Sequence, residues 1–403
     1  MVDIEKIRLI SLRFVFIYVL GFILTFPFPY TILPDIGGKI SQIFESINVW
    51  WIEVFGLGQV TTEILSDSTG LYVHLITLLI LSLIGTLLWW LIAKWRKHLI
   101  LWQWFHGGIA YYLALTLLIY GFNKIFKWQF FFPEPNTLFT SIGEMTPDIL
   151  FWSSIGSSYS YSLFSGLIEV IPALLLLFKK TRLVGGIMAM MVLLNVVMIN
   201  FGFDISVKIY SLFLILLSII VILPNVTPLV YFLSGRQKVN QKIYYLKIDT
   251  PNKLLLYAIG KPLVIGLILL EVLLPYFRTG NFNDDTFQKP YLHGAYEVIN
   301  LDSNNNDTSK IKRVFIHRRG YFIIQSEQDK FESFDLTYGE DLSYLKITNS
   351  LDESFYFYVT STNTQLELKG KFQGEHLNLV CRAINLDKLP INGDNFHWTI
   401  DSY

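Results

Sequence analysis

The chain has 403 residues, of which 52% are hydrophobic and 16% aromatic, and its 32 Lys+Arg balance 32 Asp+Glu. Charged residues make up 16% of it, where a soluble domain averages about 25%. The zero net charge offers no basic field for nucleic acid, and the lone cysteine, Cys381, excludes both an internal disulfide and a CxxC redox pair.

The apolar excess is concentrated before residue 278, in blocks of membrane-spanning length. A bilayer core needs about 20 mostly apolar residues per helix. Seven stretches satisfy this, over 8–27, 71–93, 102–125, 158–178, 182–203, 205–224 and 256–277. The first is too long for a signal-peptide core. It is followed by Phe26-Pro27-Phe28-Pro29-Tyr30 rather than a small-residue cleavage site, so it is expected to stay as an anchor. Between the first two spans, Ile36, Ile40, Ile43, Phe44, Ile47 and Trp51 recur with helical period in a segment that also carries Asp35, Lys39, Glu45 and Glu53. This predicts an amphipathic helix lying at the bilayer interface, where Trp50 and Trp51 are at home. Residues 225–235 are too short to span and predict a second interfacial turn.

Lys and Arg set topology, because positively charged loops stay in the cytoplasm. Lys6, Arg8 and Arg13 mark the N-terminus; Lys94, Arg96 and Lys97 the second connection; Lys179, Lys180 and Arg182 the fourth; and Arg236, Lys238, Lys242, Lys247, Lys253 and Lys261 the sixth. The intervening connections are richer in acid, with Glu134, Glu144 and Asp148 in the third. The alternation predicts a cytoplasmic N-terminus and a C-terminal domain on the far side of the membrane.

After Arg278 apolar residues begin to alternate. Strand-like runs occur near 294–300, 311–317, 320–326, 331–337, 342–348, 354–361, 364–371, 376–382 and 395–401, separated by turn signals such as Arg319-Gly320 and Gly374. This pattern predicts a small antiparallel barrel or sandwich. Gly294-Ala295-Tyr296-Glu297-Val298 resembles the opening strand of lipocalin-like barrels. No His/Cys group has metal-ligand spacing, so no metal is expected. His293, His317, His376 and His397 predict surface or partly buried strand histidines.

Ionisable side chains inside hydrocarbon are costly, which makes each a functional candidate. Glu169 sits midway along the fourth span and is expected to be protonated, paired or hydrogen-bonded. Its role is proton transfer, hydrogen bonding to a carbonyl ligand, or a structural bond to a neighbouring helix. Lys124 closes the third span, where snorkelling to the interface accounts for most lysines. Asn195 and Asn200 lie in the fifth span, and Asp204 and Lys208 straddle the next turn at salt-bridge spacing. Lys124, Asn200, Asp204 and Lys208 are expected at similar depth, with Glu169 half a membrane below, together lining a polar cavity that opens outward. Glu271 and Arg13 are single charges expected to pair internally. His74 and His106 fall at opposite ends of their spans, which disfavours a haem.

The segment from about 110 to 225 resembles the DoxX-like family of bacterial membrane proteins. The resemblance rests on Tyr111-Tyr112-Leu113-Ala114, Tyr120-Gly121-Phe122-Asn123-Lys124 with Gln129-Phe130, and Gly143-Glu144-Met145-Thr146-Pro147. It continues through Gly166-Leu167-Ile168-Glu169, Asn195, Asn200-Phe201 and Phe203-Asp204 to Lys208. Leu389-Pro390 followed by Phe396-His397-Trp398 resembles the end of longer members with an appended domain. The resemblance implies a four-helix membrane core and a place near quinone and electron transfer. Its matching positions include Tyr120, Lys124, Gln129, Glu169, Asn195, Asn200, Asp204 and Lys208, a candidate ligand site.

The expected architecture is therefore an all-α polytopic bundle of seven transmembrane helices with a small C-terminal all-β domain. Residues 1–100 hold two spans and the interfacial helix, 101–235 the four-helix core, 236–279 a linker and the last span, and 280–403 the β-domain. Three functions are open: a quinone-associated redox component, a non-enzymatic binder or transporter of a lipid or small molecule, and a membrane scaffold whose β-domain docks a protein partner. The bacterial inner membrane, with the β-domain in the periplasm, is the expected location. No reaction is legible in the sequence.

Overall fold

The computed structural model describes residues 4–64, 66–93, 99–235, 251–303, 311–362 and 364–393. Its helices are α1 (Ile4–Thr25), α2 (Ile36–Val54), α3 (Thr69–Ala93), α4 (Leu99–Ile125), α5 (Pro135–Leu138), α6 (Pro147–Gly156), α7 (Tyr159–Leu176), α8 (Arg182–Gly202), α9 (Lys208–Ile222), α10 (Val226–Leu233) and α11 (Pro251–Thr279). Among the described residues, seven helical stretches are long and apolar enough to cross a membrane: Glu5–Thr25, Thr69–Ala93, Ile100–Ile125, Tyr159–Leu176, Arg182–Gly202, Lys208–Tyr231 and Ala258–Thr279. Large apolar side chains line their surfaces, with Ile92 85%, Met198 69% and Leu263 61% exposed, as lipid contact requires and water would penalise. The chain is a multi-pass membrane protein. The sixth span runs on to Tyr231 through the turn at Leu223–Asn225, so the expected interfacial turn is partly its continuation.

The chain divides into two compact units. One comprises Met1–Phe126 and Leu163–Phe282, the other Lys127–Ser162 and Asn283–Tyr403. The connection between α4 and α7, grouped on the sequence with the four-helix core, thus packs with the β-domain.

In the helical unit, α2 forms where expected, with the Asp35 carboxylate accepting from the Gly38 N–H at 2.7 Å as N-cap. Its buried positions include Ser41 and Asn48, while Ile43, Ile47 and Trp50 stay exposed. This inside-out arrangement suits a helix bathed in lipid headgroups. Glycines let helices approach closely. A Cβ on Gly166 would come within 2.5 Å of the Gly121 carbonyl oxygen, fixing α7 against α4. A Cβ on Gly185 would come within 2.9 Å of the Pro172 oxygen, fixing α8 against α7. The core between the helices holds Phe22, Leu113, Leu117, Leu176 and Leu217 at 1% exposure or less.

The β-domain is a closed antiparallel barrel of eight consecutive strands: β1 (Gly294–Ser303), β2 (Ile311–His317), β3 (Tyr321–Ser326), β4 (Phe331–Tyr338), β5 (Tyr344–Thr348), β6 (Ser354–Ser361), β7 (Gln365–Phe372) and β8 (Glu375–Ala383). They match the first eight predicted runs. The ninth, at 395–401, lies outside the described residues, as do the Phe396-His397-Trp398 motif and the cation-rich 94–98 and 236–250. Closure comes from β8 pairing with β1, from Tyr296 opposite Ala383 to Ser303 opposite Leu377. The β7–β8 hairpin turns on Gln373 (φ 50°) and Gly374 (φ 90°), the two positive-φ positions of a type I′ turn. Eight strands leave an interior that side chains can fill or that can hold one small ligand. Here side chains fill it: Phe322, Phe334, Phe357, Leu345, Ile347, Leu366 and Leu368 are all at 2% exposure or less. Strands β2 and β3 are buried on both faces, Phe315 and Ile323 packing outward against Phe139 of the α4–α7 connection.

Candidate functional site

Helix α4 places Tyr112, Thr116, Tyr120 and Lys124 four residues apart, hence on one face. That face points into the bundle. Lys124 is buried and its ammonium is paired with the buried Glu169 carboxylate of α7. The expected half-membrane separation is therefore corrected, and so is snorkelling as the account of Lys124. The Gly121–Gly166 contact draws the two helices close enough for the side chains to meet. The second carboxylate oxygen, Oε2, is buried with no hydrogen-bond partner among the described residues. One turn past Glu169, Pro172 interrupts the helix and leaves the Ile168 carbonyl without its intrahelical donor.

Tyrosines extend the polar track. Tyr120 lies within electrostatic reach of Glu169. The Tyr112 and Tyr210 hydroxyls are 3.0 Å apart, and Thr116 Oγ1 is 3.4 Å from Tyr210. Tyr30, beyond α1, is pushed up to about 12 by burial and by the Glu271 carboxylate. Glu271 of α11 accepts from the backbone N–H groups of Thr31, Ile32 and Leu33, a nest of donors that holds a carboxylate without a cation. Tyr276 donates to Asn123 at 2.6 Å. The Arg13 guanidinium lies 5.4 Å from the Trp89 ring centroid.

The other predicted site residues fall elsewhere. Lys208 pairs with Asp204 at 2.7 Å, as the spacing predicted, and with Asp67 at 3.7 Å. Asp67 also accepts from the Lys208 and Ile209 N–H groups and so caps α9. Asn200 contacts the Val207 carbonyl at 3.5 Å in the same turn. Asn195 is exposed on the outer face of α8, and Gln129 belongs to the barrel unit. Of the eight, only Tyr120, Lys124 and Glu169 gather in the bundle. Tyr112, Thr116 and Tyr210 were missed as site residues, although the four-residue spacing of the first two with Tyr120 and Lys124 was a readable signal.

The barrel unit carries a second charged cluster, which the sequence did not announce. Glu134 is buried, and its carboxylate meets the Arg318 guanidinium, the Arg318 N–H at 3.2 Å and His293 Nε2 at 3.1 Å, with His317 Nε2 at 3.7 Å. His317 Nδ1 accepts from the Arg319 N–H at 3.1 Å, which leaves the proton on Nε2, facing Glu134. Burial alone would raise the Glu134 carboxyl, but the His293 hydrogen bond and the Arg318 charge outweigh it and hold it at about 2. Arg318 also pairs with Asp284, which Lys289 meets at 3.0 Å, and stacks 4.2 Å from the Phe131 ring centroid. Lys127, fully buried at a left-handed φ of 63°, reaches Asp285 at 3.1 Å and the Gly156 carbonyl. Asp285 in turn accepts from the Phe132 N–H at 2.7 Å. These bonds make the α4–α7 connection an integral part of the barrel unit. His293 and His317 are partly buried, as expected, but bound to Glu134 rather than idle.

An uncharacterized protein of Bacillus subtilis (strain 168), YwoB, is 32% identical over 120 residues, 28% of this chain and 70% of that protein. The chain belongs to the YwoB family. No protein-family profile matches the sequence, and no solved structure matches it. YwoB carries no assigned activity.

Proposed function

We propose that this chain is a DoxX-like protein of the bacterial inner membrane whose bundle holds the polar head of an apolar-tailed ligand, a quinone or a lipid, at Lys124, Glu169 and Tyr120. One observation carries the reading: a Lys–Glu pair is retained where hydrocarbon would be cheaper, beside tyrosines, with a buried carboxylate oxygen left unpartnered. Buried ion pairs contribute little stability compared with well-packed apolar residues. Their retention favours a functional role, and the DoxX-like motif positions coincide with all three residues. A quinone offers carbonyl acceptors and its quinol offers hydroxyl donors; Lys124 and Tyr120 suit the first, Glu169 Oε2 the second. Such a head group would itself supply reversible two-electron, two-proton chemistry. Glu169 would hold or take up the hydroxyl proton, and the apolar walls of α4 and α7 would exclude water. The orientation proposed with this reading has the N-terminus in the cytoplasm and the barrel in the periplasm.

Mass spectrometry of small molecules co-purifying in mild detergent tests it. The wild type is expected to enrich a quinone or one lipid species, and Glu169→Gln with Lys124→Ala to lose it. Absence of any enriched species in the wild type would overturn the reading.

A scaffold is the second reading, favoured by the filled barrel. A barrel packed with phenylalanine and leucine has no room for cargo, which disfavours carriage inside it and leaves its outer surface for a protein partner. This reading predicts that Glu169→Gln is harmless, whereas removal of residues 283–403 abolishes activity in the cell.

A further inference from the structure

Between α1 and α2 the chain runs through Phe26-Pro27-Phe28-Pro29-Tyr30, and this non-helical segment turns its middle residue into the bundle. Phe28 is 6% exposed. Its ring centroid lies 5.1 Å from that of Tyr30, 6.0 Å from that of Tyr210 and 6.2 Å from that of Tyr120, which it meets edge-on. Phe26 stacks on Tyr210 at 4.5 Å. A phenyl ring thus sits among three tyrosines, and one of them, Tyr120, belongs to the ligand site proposed above. Non-helical backbone persists in such a place only where its polar groups are satisfied. Pro27 and Pro29 bring no N–H, and the Tyr30 N–H donates to the Phe28 carbonyl at 2.9 Å. The N–H groups of Thr31, Ile32 and Leu33 all donate to Glu271 of α11, the last two at 2.8 Å. Glu271 is 3% exposed, so one buried carboxylate fastens the segment to the bundle.

A loop that needed only an anchor would bury Phe28 against hydrocarbon. Its seat is made of phenol rings instead, and Tyr210 in turn meets the Tyr112 hydroxyl at 3.0 Å and Thr116 Oγ1 at 3.4 Å. Tyr120 leads from the same seat to Glu169, which pairs with Lys124. We infer that the segment from Phe26 to Leu33 is the gate of the bundle site. Phe28 fills the place beside Tyr120 and Tyr210 that the ring of a ligand head takes, and Glu271 holds the gate shut. The inference rests on the ligand reading of Lys124, Glu169 and Tyr120, and it adds how that site is reached and what it selects. Opening breaks the amide bonds to Glu271 and withdraws Phe28, and the incoming head takes over its aromatic contacts. A head that replaces a phenyl ring among tyrosines is planar, about one six-membered ring wide and able to accept from a hydroxyl, which favours a quinone over a lipid headgroup.

Maleimide labelling of the full-length protein in detergent, with no ligand added, reads the gate directly. Thr116→Cys is the reporter, because Thr116 is 1% exposed and touches Tyr210. Ser218→Cys is the control, fully buried on α9 two turns beyond Tyr210. Labelling is counted by mass on the peptide that carries each new thiol. Glu271→Gln turns an amide NH2 towards N–H donors and so loses at least one charge-assisted hydrogen bond, worth about tenfold in the open population. Glu271→Gln and Phe28→Ala are each expected to speed labelling of Thr116→Cys at least about tenfold while Ser218→Cys stays as slow as before. Equal rates at Thr116→Cys with and without these changes would overturn the inference. So would a parallel rise at Ser218→Cys, because the whole bundle would then have loosened rather than a gate opened. Since no ligand takes part, the gate can fail this test while a quinone still co-purifies, and a missing quinone leaves the labelling result intact.

Discussion

Glu134→Gln removes the negative charge on which Arg318, His293 and His317 converge. The carboxyl is held at about 2 against an ordinary 4.5, and its side chain is 4% exposed, so solvent screening takes little away. A shift of that size is linked to about 3 kcal/mol of folding free energy. The folded-state value lies below the unfolded one. The contribution is therefore complete above about pH 4.5 and fades as the pH falls towards 2, with about 2 kcal/mol already gone at pH 3. Hydrogen exchange of the full chain in detergent, corrected for intrinsic rates and read on the β1–β3 amides, measures it. Glu134→Gln should lose about 3 kcal/mol of protection at pH 7 and decline less than the wild type between pH 4.5 and 3, where Asp284, also held below its ordinary value by Lys289 and Arg318, still titrates. A loss below about 1 kcal/mol at pH 7 would refute the reasoning.

Three further outcomes are expected. Lys124→Met leaves the buried Glu169 without its cation and should cost about 3–5 kcal/mol in thermal unfolding, while the double variant Lys124→Met/Glu169→Gln recovers most of it; equal Tm loss in both would show that the pair is not coupled. Gly166→Ala forces a Cβ to within 2.5 Å of the Gly121 carbonyl oxygen and should cost about 1–3 kcal/mol, readable as a lowered Tm. Cys381 is fully buried, and burial pushes its thiol up to about 12, so maleimide should leave it unlabelled at pH 7 until the barrel is unfolded.

Much of the architecture was readable because the relevant signals are local. Span length and strand alternation depend on near neighbours in sequence, and both survived into the fold. What failed was adjacency. Lys124 looked like an interfacial lysine because nothing in its own span reveals that Gly121 meets Gly166 and brings Glu169 within reach. The choice between barrel and sandwich turns on the β1–β8 pairing, which joins the two ends of the domain and leaves no mark in either strand alone. Glu134 read as one acid in a loop, because its partners Arg318 and His293 stand 184 and 159 residues away. Asn195 was drawn into the candidate site by motif position, and the helical phase of α8 turned it outward.

The sequence separation of 184 between Glu134 and Arg318 also fixes an order of assembly. A growing chain folds from its N-terminal end, at about 5–20 residues per second. Residues 127–162 are therefore made well before Asp285, His293, His317 or Arg318 exists. Until then Phe139 has no apolar wall, and Lys127 and Glu134 have no counter-charges from the later segment. The barrel cannot be finished early either, since β1 waits for β8 and the outer faces of β2 and β3 wait for Phe139. Maturation of this protein thus has a late committed step, when the C-terminal strands close around a segment held in readiness since the third span was made. Truncation anywhere in the barrel strands the earlier half of its own domain.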